Sequence, residues 1–267
     1  MNWMRVVVLV VVWAVASTAP AITLVDMNST VQIDPLSQAG VHSWQIDGTE
    51  NLFQQWFWYR VGDGEGGERS LDTLQLTSSQ SLGNNGLSLL YTDRQGQFQV
   101  NLNYFLLGGS TGSGSADLAE QIRIQNLTGS ELDFHFFQYS DFDLGGTVLD
   151  AGARLKDDNA IDQWDLHSVL SETVITPPPD HWQIDTFPNV LLALNDQSPT
   201  TLTDATSPMG QGDLTWAFEW DKELGAHGSF LISKDKQIRV PDGSSSLLLL
   251  GLALTGIRLL KSRLQRS

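Results

Sequence analysis

Paired acidic side chains in the middle of the chain are the first residues whose type and spacing could bind a cation. Asp141 and Asp143 bracket Phe142, so in an extended strand their carboxylates point to the same side. With Asp133 or Asp150 they could offer the hard oxygen ligands that calcium prefers. The chain lacks a D-x-[DN]-x-[DN]-G loop with its distal glutamate, and a solvated acidic loop is the favoured alternative.

Motifs that identify common enzyme classes are absent from the sequence. The five histidines show no H-x-H or H-E-x-x-H spacing, and there is no G-x-S-x-G elbow, P-loop or dinucleotide fingerprint. Glu219, Asp221 and Glu223 could supply a glycosidase carboxylate. A glycosidase needs two carboxyl groups at a set separation, which one sequence does not show. We therefore predict that the chain is not an enzyme and uses no cofactor, and a glycoside hydrolase is the less favoured alternative.

The densest aromatic stretch is a candidate carbohydrate-binding surface. Trp56 and Trp58 share one face of a predicted strand, and Phe57 and Tyr59 share the other. Indole and phenol rings pack well on sugar rings, so Trp56, Trp58 and Tyr59 are candidate carbohydrate contacts. A central strand that is buried on both faces produces the same pattern, and we favour that interpretation.

Composition and charge narrow the class of protein. The 267 residues are 41% hydrophobic and 9% aromatic, which is enough for a folded core, and cysteine is absent. The net charge is −16, although five of the 15 cationic residues lie near the two ends of the chain. The body between the ends is therefore strongly acidic, and it should repel nucleic acid.

The first 21 residues have the order of a Sec signal peptide. Arg5 provides a positive n-region, residues 6–15 are apolar, and Ala19 and Ala21 form an A-x-A cleavage site. We predict that the Sec translocon exports the chain and that signal peptidase cleaves it after Ala21. An uncleaved N-terminal anchor is the alternative.

The last 28 residues have the layout of a second targeting signal. Val240, Pro241, Asp242 and Gly243 precede a serine-rich spacer, an apolar segment over residues 247–257 and a basic end. The positive-inside rule keeps the basic end in the cytoplasm, so the preceding body lies outside. Because the apolar segment is short for a stable span, it suits a temporary anchor, and a permanent membrane anchor is the alternative.

This order of motif, helix and basic end resembles the PEP-CTERM group of exosortase sorting signals in its VPDxG variant. The resemblance extends to residues 44–74 and 138–144, which are similar to a recurring type of secreted PEP-CTERM protein. It implies that an exosortase recognises Val240–Gly243 and processes the tail. It also implies a Gram-negative-type bacterium that makes exopolysaccharide, with the mature protein on the cell surface or in the extracellular matrix.

Alternation of apolar and polar residues indicates strands throughout the body. Residues 122–136 read as one hairpin with a turn at 128–130, followed by a bulge at Phe136–Phe137 or a strand buried on both faces. Residues 87–107 read as a second hairpin around a turn at 93–96. The run 189–195 also reads as a strand, and residues 149–170 could hold at most one short helix.

We predict three parts: a signal peptide over residues 1–21, an all-β antiparallel sandwich or jelly roll over 22–239, and a sorting tail over 240–267. The predicted role is structural or adhesive, in an exopolysaccharide or biofilm. A carbohydrate-binding module is the alternative. The predicted partners are the Sec machinery, exosortase, exopolysaccharide and, before processing, the membrane.

Overall fold

Strands form most of the regular structure in the computed structural model, which describes residues 21–64, 66–205 and 210–240. The helices in these residues are α1 (Asn189–Leu194) and two short 3-10 helices, and none has the length and apolar content needed to cross a bilayer. The strands are β1 (Ile22–Asp26), β2 (Ser29–Asp34), β3 (Gly40–Ile46), β4 (Thr49–Glu50), β5 (Gln54–Val61), β6 (Arg69–Ser70), β7 (Gln75–Leu82), β8 (Gly86–Thr92), β9 (Phe98–Gly108), β10 (Ser115–Asn126), β11 (Leu132–Asp141), β12 (Gly152–Lys156), β13 (Ala160–Trp164), β14 (Val169–Thr176), β15 (His181–Thr186), β16 (Leu214–Leu224) and β17 (Ser229–Arg239).

The strands form two packed sheets, which confirms the predicted all-β sandwich. One sheet has nine strands in the order β1-β2-β3-β5-β11-β16-β15, with β4 on β3 and β6 on β5. The other has eight strands in the order β12-β13-β14-β17-β10-β9-β8-β7. Every pairing in the described residues is antiparallel except the short contact of β3 with β5. One hydrophobic cluster joins both sheets.

The centre of the nine-stranded sheet is buried on both faces. On its inner face, Gln138 and Ser140 of β11 and Trp216 of β16 bond to Glu172 of β14, in the eight-stranded sheet. The opposite face, the outer face, is partly covered by residues 187–205, which include α1. This double burial explains the run of apolar residues at Phe136–Phe137. The register of β11 with both neighbours is unbroken, so no bulge is present there.

The hairpin predicted over residues 122–136 is wrong, although its two strands exist. β10 pairs with β9 and β17, whereas β11 pairs with β5 and β16 in the other sheet. The turn between them is a corner that crosses the sandwich, and the Asn126 side chain holds it by donating to the carbonyls of Ser130 and Leu224. The predicted hairpin over residues 87–107 is confirmed as β8 and β9.

One local assignment is wrong, and a segment in which at most one short helix was expected contains none. The run at 189–195, read as a strand, forms α1, whose Val190 and Leu194 are buried while Leu192 is exposed. That spacing is helical, because residues four apart share one face. The segment where a short helix was allowed contains β12 and β13 instead.

Both predicted targeting segments, the signal peptide and the sorting tail, lie largely outside the described residues. Residues 1–20 of the predicted signal peptide, including Ala19, lie outside the described residues and Ala21 lies within them; Pro241, Asp242 and Gly243 also lie outside them. Val240 is described: its backbone N–H donates to the carbonyl of Gly114 at 2.8 Å, directly after the last strand ends at Arg239.

Candidate functional site

The candidate carbohydrate contacts in β5 are buried. Trp56 and Trp58 are 0% exposed and Tyr59 is 5% exposed. The Trp58 indole lies under the segment that covers the outer face, and its Nε1 donates to Asn195 Oδ1 at 3.1 Å. The interpretation of these three rings as a sugar-binding surface is therefore wrong, and the alternative of a central strand buried on both faces is confirmed.

A cluster of aspartates lies where β11 ends and β16 begins. Asp141 is the last residue of β11, Asp143 lies in the loop that follows, and Asp213 directly precedes β16. One carboxylate oxygen from each of the three lies within 4.8 Å of the other two. Asp141 is only 2% exposed, so the favoured reading of a solvated acidic loop is wrong for this residue. Asp133 lies eight residues before Asp141, near the start of β11, and takes no part.

Two exposed phenylalanines form the rim of this cluster. Phe53 precedes β5 and is 54% exposed, and Phe187 follows β15 and is 40% exposed. Their ring centroids are 6.4 Å apart and the ring planes meet at 83°. Backbone bonds fix both residues, because Phe53 donates to the Asp141 carbonyl and Phe187 to the Asp213 carbonyl. With Val148 these residues enclose a cavity of about 190 Å³, which we name the aspartate cleft.

The pKa of Asp141 is raised to about 8, and burial is the largest cause. The negative charges of Asp213, Asp143 and Asp150 also raise this pKa, whereas the hydrogen bond from the Tyr139 hydroxyl lowers it. The pKa values of Asp143 and Asp213 are also raised by burial, but both side chains are only half-buried. Asp141 therefore carries a proton at neutral pH, next to carboxyl groups that water reaches. Two carboxyl groups whose environments separate their pKa values can act as an acid and a base.

A fourth aspartate, Asp150, is buried next to the cleft and holds part of its backbone in place. Asp150 is 2% exposed, and burial raises its pKa to about 7. Its carboxylate accepts hydrogen bonds from Gln163 Nε2 and from the backbone N–H of Leu214, the residue after Asp213. Asp150 thus fixes the start of β16 and the position of Asp213. Its negative charge also helps to keep the proton on Asp141.

The carboxylates considered from the sequence as glycosidase residues lie elsewhere. Glu219 and Asp221 of β16 are on the outer face near His135 and His181, and Glu223 is exposed. A larger cleft of about 350 Å³ lies beside β5 and β6. Its lining includes Arg60, which is paired with Glu68 at 3.1 Å, and the charged residues Arg69 and Asp93; among its described residues no group of three acidic side chains converges.

Neither a family model nor a curated protein matches the chain, but solved structures share its fold. A bacterial glucoamylase complexed with acarbose is 12% identical over 90% of this chain, with a TM-score of 0.57, and this chain spans 35% of that protein. A protein assigned as an aldose 1-epimerase from Escherichia coli K12 is 10% identical, with a TM-score of 0.54, over 82% of this chain and 99% of its own. A galactose mutarotase-related enzyme from Lactobacillus acidophilus is 11% identical, with a TM-score of 0.52, over 82% and 97% of the two chains.

The prediction that the chain is not an enzyme is corrected by these neighbours. The sandwich that it forms is one that carbohydrate-processing enzymes use. That prediction was based on the absence of linear enzyme motifs from the sequence. The aspartate cleft shows why that argument fails, because its carboxyl groups come from positions 72 residues apart in the sequence and no local motif records them.

Proposed function

We propose that the protein binds a saccharide in the aspartate cleft and carries out acid–base chemistry on it. The observation that carries this proposal is the position of buried Asp141, whose pKa is raised to about 8, beneath the exposed rings of Phe53 and Phe187. Aromatic faces and a few convergent polar groups are the usual composition of a sugar site. The fold shared with carbohydrate-processing enzymes supports the same class of substrate.

Each residue of the aspartate cleft has the role that suits its environment. Phe53 and Phe187 pack against the apolar face of a sugar ring, and the half-buried carboxylates of Asp143 and Asp213 accept hydrogen bonds from its hydroxyl groups. Protonated Asp141 donates its proton to the ring oxygen or the glycosidic oxygen. One of the other two carboxylates acts as the base or stabilises the positive charge that develops at the anomeric carbon. The calcium hypothesis for Asp141 and Asp143 stays a prediction, and it competes with the proton on Asp141.

Replacing either rim phenylalanine should weaken saccharide binding. We expect Phe53→Ala and Phe187→Ala each to raise the dissociation constant about tenfold, because each removes one stacking surface. The measurement is calorimetric titration of the purified full chain with a saccharide selected on a glycan array. Phe105→Ala is the matched control, since Phe105 is also 40% exposed but lies on β9 of the other sheet. Equal losses in all three variants would contradict the assignment of the cleft.

The pH dependence of turnover should report the ionisation of Asp141. Turnover requires protonated Asp141, so we expect kcat/KM to fall as the pH rises through about 8. The groups that set this limit are Tyr139, Asp143, Asp150 and Asp213, which surround the carboxyl. Asp213→Asn removes one of the neighbouring negative charges and should move the alkaline limb to lower pH. A limb that stays in place in this variant would show that another group controls it.

We further propose that the protein reaches the cell surface by the route that its terminal segments suggest. The support is the sequence order of a Sec signal peptide and a VPDxG-type tail, together with the end of the last strand at Arg239, immediately before the motif. Exopolysaccharide would then be the nearest saccharide. Intact-mass analysis of the native protein in separated cell fractions tests this. We expect a surface species that lacks residues 1–21 and the apolar tail, and an inner-membrane species that keeps Arg258–Ser267 would contradict it.

A further inference from the structure

Two histidines and two acidic residues form a second cluster on the outer face. Asp221 is the register partner of His135 across β16 and β11, and Glu219 is the register partner of His181 across β16 and β15. His135 lies six residues before Asp141 on β11, which is about 20 Å in an extended strand. These four residues, the histidine cluster, are therefore separate from the aspartate cleft.

The ligand atoms of three of these residues converge, and the fourth residue, His181, lies next to Asp221. His135 Nδ1 is 2.5 Å from Asp221 Oδ1, and His181 Nε2 is 3.9 Å from Asp221 Oδ2. One ligand atom each from His135, Glu219 and Asp221 lies within 4.8 Å of the other two. Ligand atoms around one tetrahedral zinc ion are about 3.3 Å apart, given bonds of about 2.0–2.2 Å. Side-chain rotations would bring His135, Glu219 and Asp221 to one ion, and His181, whose Nε2 is next to Asp221, would turn toward it as the fourth ligand.

A buried carboxylate oxygen in this cluster has no partner. Glu219 is 0% exposed; its Oε2 accepts the Leu202 backbone N–H at 2.7 Å, but its Oε1 has no hydrogen bond. Among the ion pairs of the described residues, none joins Glu219 to a lysine or arginine. A buried carboxylate with an unsatisfied oxygen is costly unless a proton or a cation compensates it. A metal ion at this point supplies that charge.

Each histidine also has a carboxylate on the side away from the cluster. His181 Nδ1 is 3.1 Å from Asp204 Oδ2, and His135 Nε2 is 3.4 Å from Asp133 Oδ2. The remaining nitrogen of each ring faces Asp221. In metal-binding histidines an outer carboxylate often fixes the ring and its tautomer. Asp204 bonds to His181 in this way, whereas Asp133 lies near His135 Nε2 without a hydrogen bond to it.

We infer that the histidine cluster binds a divalent transition-metal ion of the zinc class, with His135, Glu219, Asp221 and His181 as ligands. Imidazole nitrogens favour zinc, whereas calcium takes six or more oxygen ligands, so calcium should not replace it. The side chains of Asp221 and His181 are 32% and 33% exposed, which leaves a path for the ion. The inference does not depend on the carbohydrate proposal, because the ligands and the cleft share no residue.

Metal titration of the full chain tests this inference. The protein is produced without a histidine tag, stripped with a chelator and titrated with Zn²⁺ by calorimetry. Absorption on addition of Co²⁺ reports whether the site is tetrahedral. We expect one ion per chain, no heat with Ca²⁺, and at least a tenfold weaker Zn²⁺ affinity in Glu219→Gln and in His135→Ala. His167→Ala is the control, since His167 is exposed and lies outside the cluster.

Glu219→Gln keeps the experiment informative if His135→Ala does not fold. The amide has the shape of the carboxyl, retains an oxygen for the Leu202 N–H and removes a buried charge, so the variant should fold as well as the parent. Circular dichroism checks this. Failure of the folded wild-type chain to bind Zn²⁺, or wild-type affinity in folded Glu219→Gln, would overturn the inference.

Discussion

Replacing Asp141 by asparagine is expected to lower saccharide turnover by about 10²–10⁴-fold, because the variant has no proton to donate. The same change should stabilise the folded chain at pH 8. The carboxyl pKa is about 8 in the fold against an ordinary 3.8, so the folded state binds this proton more tightly than the unfolded state. Its stabilising contribution is complete below about pH 4 and is lost as the pH rises through 8.

Asparagine is neutral at every pH and therefore avoids this loss. Its side-chain oxygen can still accept the Tyr139 hydroxyl, which is 3.1 Å from Asp141 Oδ2. The gain at pH 8 should be on the order of 2 kcal/mol, since each pKa unit is worth about 1.4 kcal/mol and water at the mouth of the cleft reduces the effect. Turnover on a saccharide panel and chemical denaturation at pH 5 and pH 8 measure the two results.

Asp117→Asn is the matched control for this variant. Burial and the neighbouring Asp235 raise the pKa of Asp117 to about 7, but the residue lies on β10 of the other sheet. We expect Asp117→Asn to stabilise the protein at pH 8 and to leave turnover unchanged. If Asp141→Asn retained full turnover while gaining stability, Asp141 would be a strained structural residue and the proposed acid would be wrong.

The second large effect concerns a charged cluster between the two sheets. Lys234 and Lys236 pair with Glu120 and Glu172, and all four side chains are at most 1% exposed. Burial raises the pKa of the Glu172 carboxyl, but the two ammonium groups lower it by more, to about 2. Lys234→Met leaves two buried carboxylates with one ammonium group. We expect it to lower the free energy of unfolding by about 3–5 kcal/mol, measured by urea denaturation.

This cluster also bears on the aspartate cleft. Glu172 accepts hydrogen bonds from Gln138 and Ser140 of β11 and from Trp216 of β16. These strands carry Asp141 and follow Asp213. Disturbing the cluster should therefore lower saccharide affinity as well as stability.

Charge balance and exposure separate this explanation from a simple packing defect. The double variant Lys234→Met, Glu120→Gln restores neutrality and should recover part of the lost stability. Lys222→Met removes an ion pair with Asp180 whose side chains are 27% and 38% exposed, so it should cost less than about 1 kcal/mol. If the three variants lost equal stability, the charge explanation would be contradicted.

Two of the three aspartates of the cleft could be predicted from the sequence. Asp141 and Asp143 are two residues apart, so an extended strand would place both on one side; the strand ends at Asp141, and Asp143 reaches the cleft from the loop that follows. Asp213 and Phe53 reach the cleft only through the pairing of β11 with β16 and with β5. Such pairings between distant segments leave no local pattern, so the third carboxyl and the aromatic rim could not be found.

The strands were recognisable for the same local reason, but their partners were not. Alternating residues on both sides of a short turn are typical of a hairpin, and β8 and β9 form one. β10 and β11 show the same alternation, yet each enters a different sheet. Trp56 and Trp58 show the related limit, because a sugar platform and a strand buried on both faces have the same residue types. Only the tertiary structure decides: Trp58 lies under residues 187–205, and Trp56 packs against Gly40 and Tyr91.

The most direct test of the proposed function is a crystal structure of the full chain with the saccharide that binds it best on a glycan array. We predict a sugar ring packed against Phe53 or Phe187, with a ring or glycosidic oxygen within hydrogen-bond distance of Asp141. A saccharide in the larger cleft lined by Tyr59, Arg69 and Asp93, with the aspartate cleft empty, would contradict it.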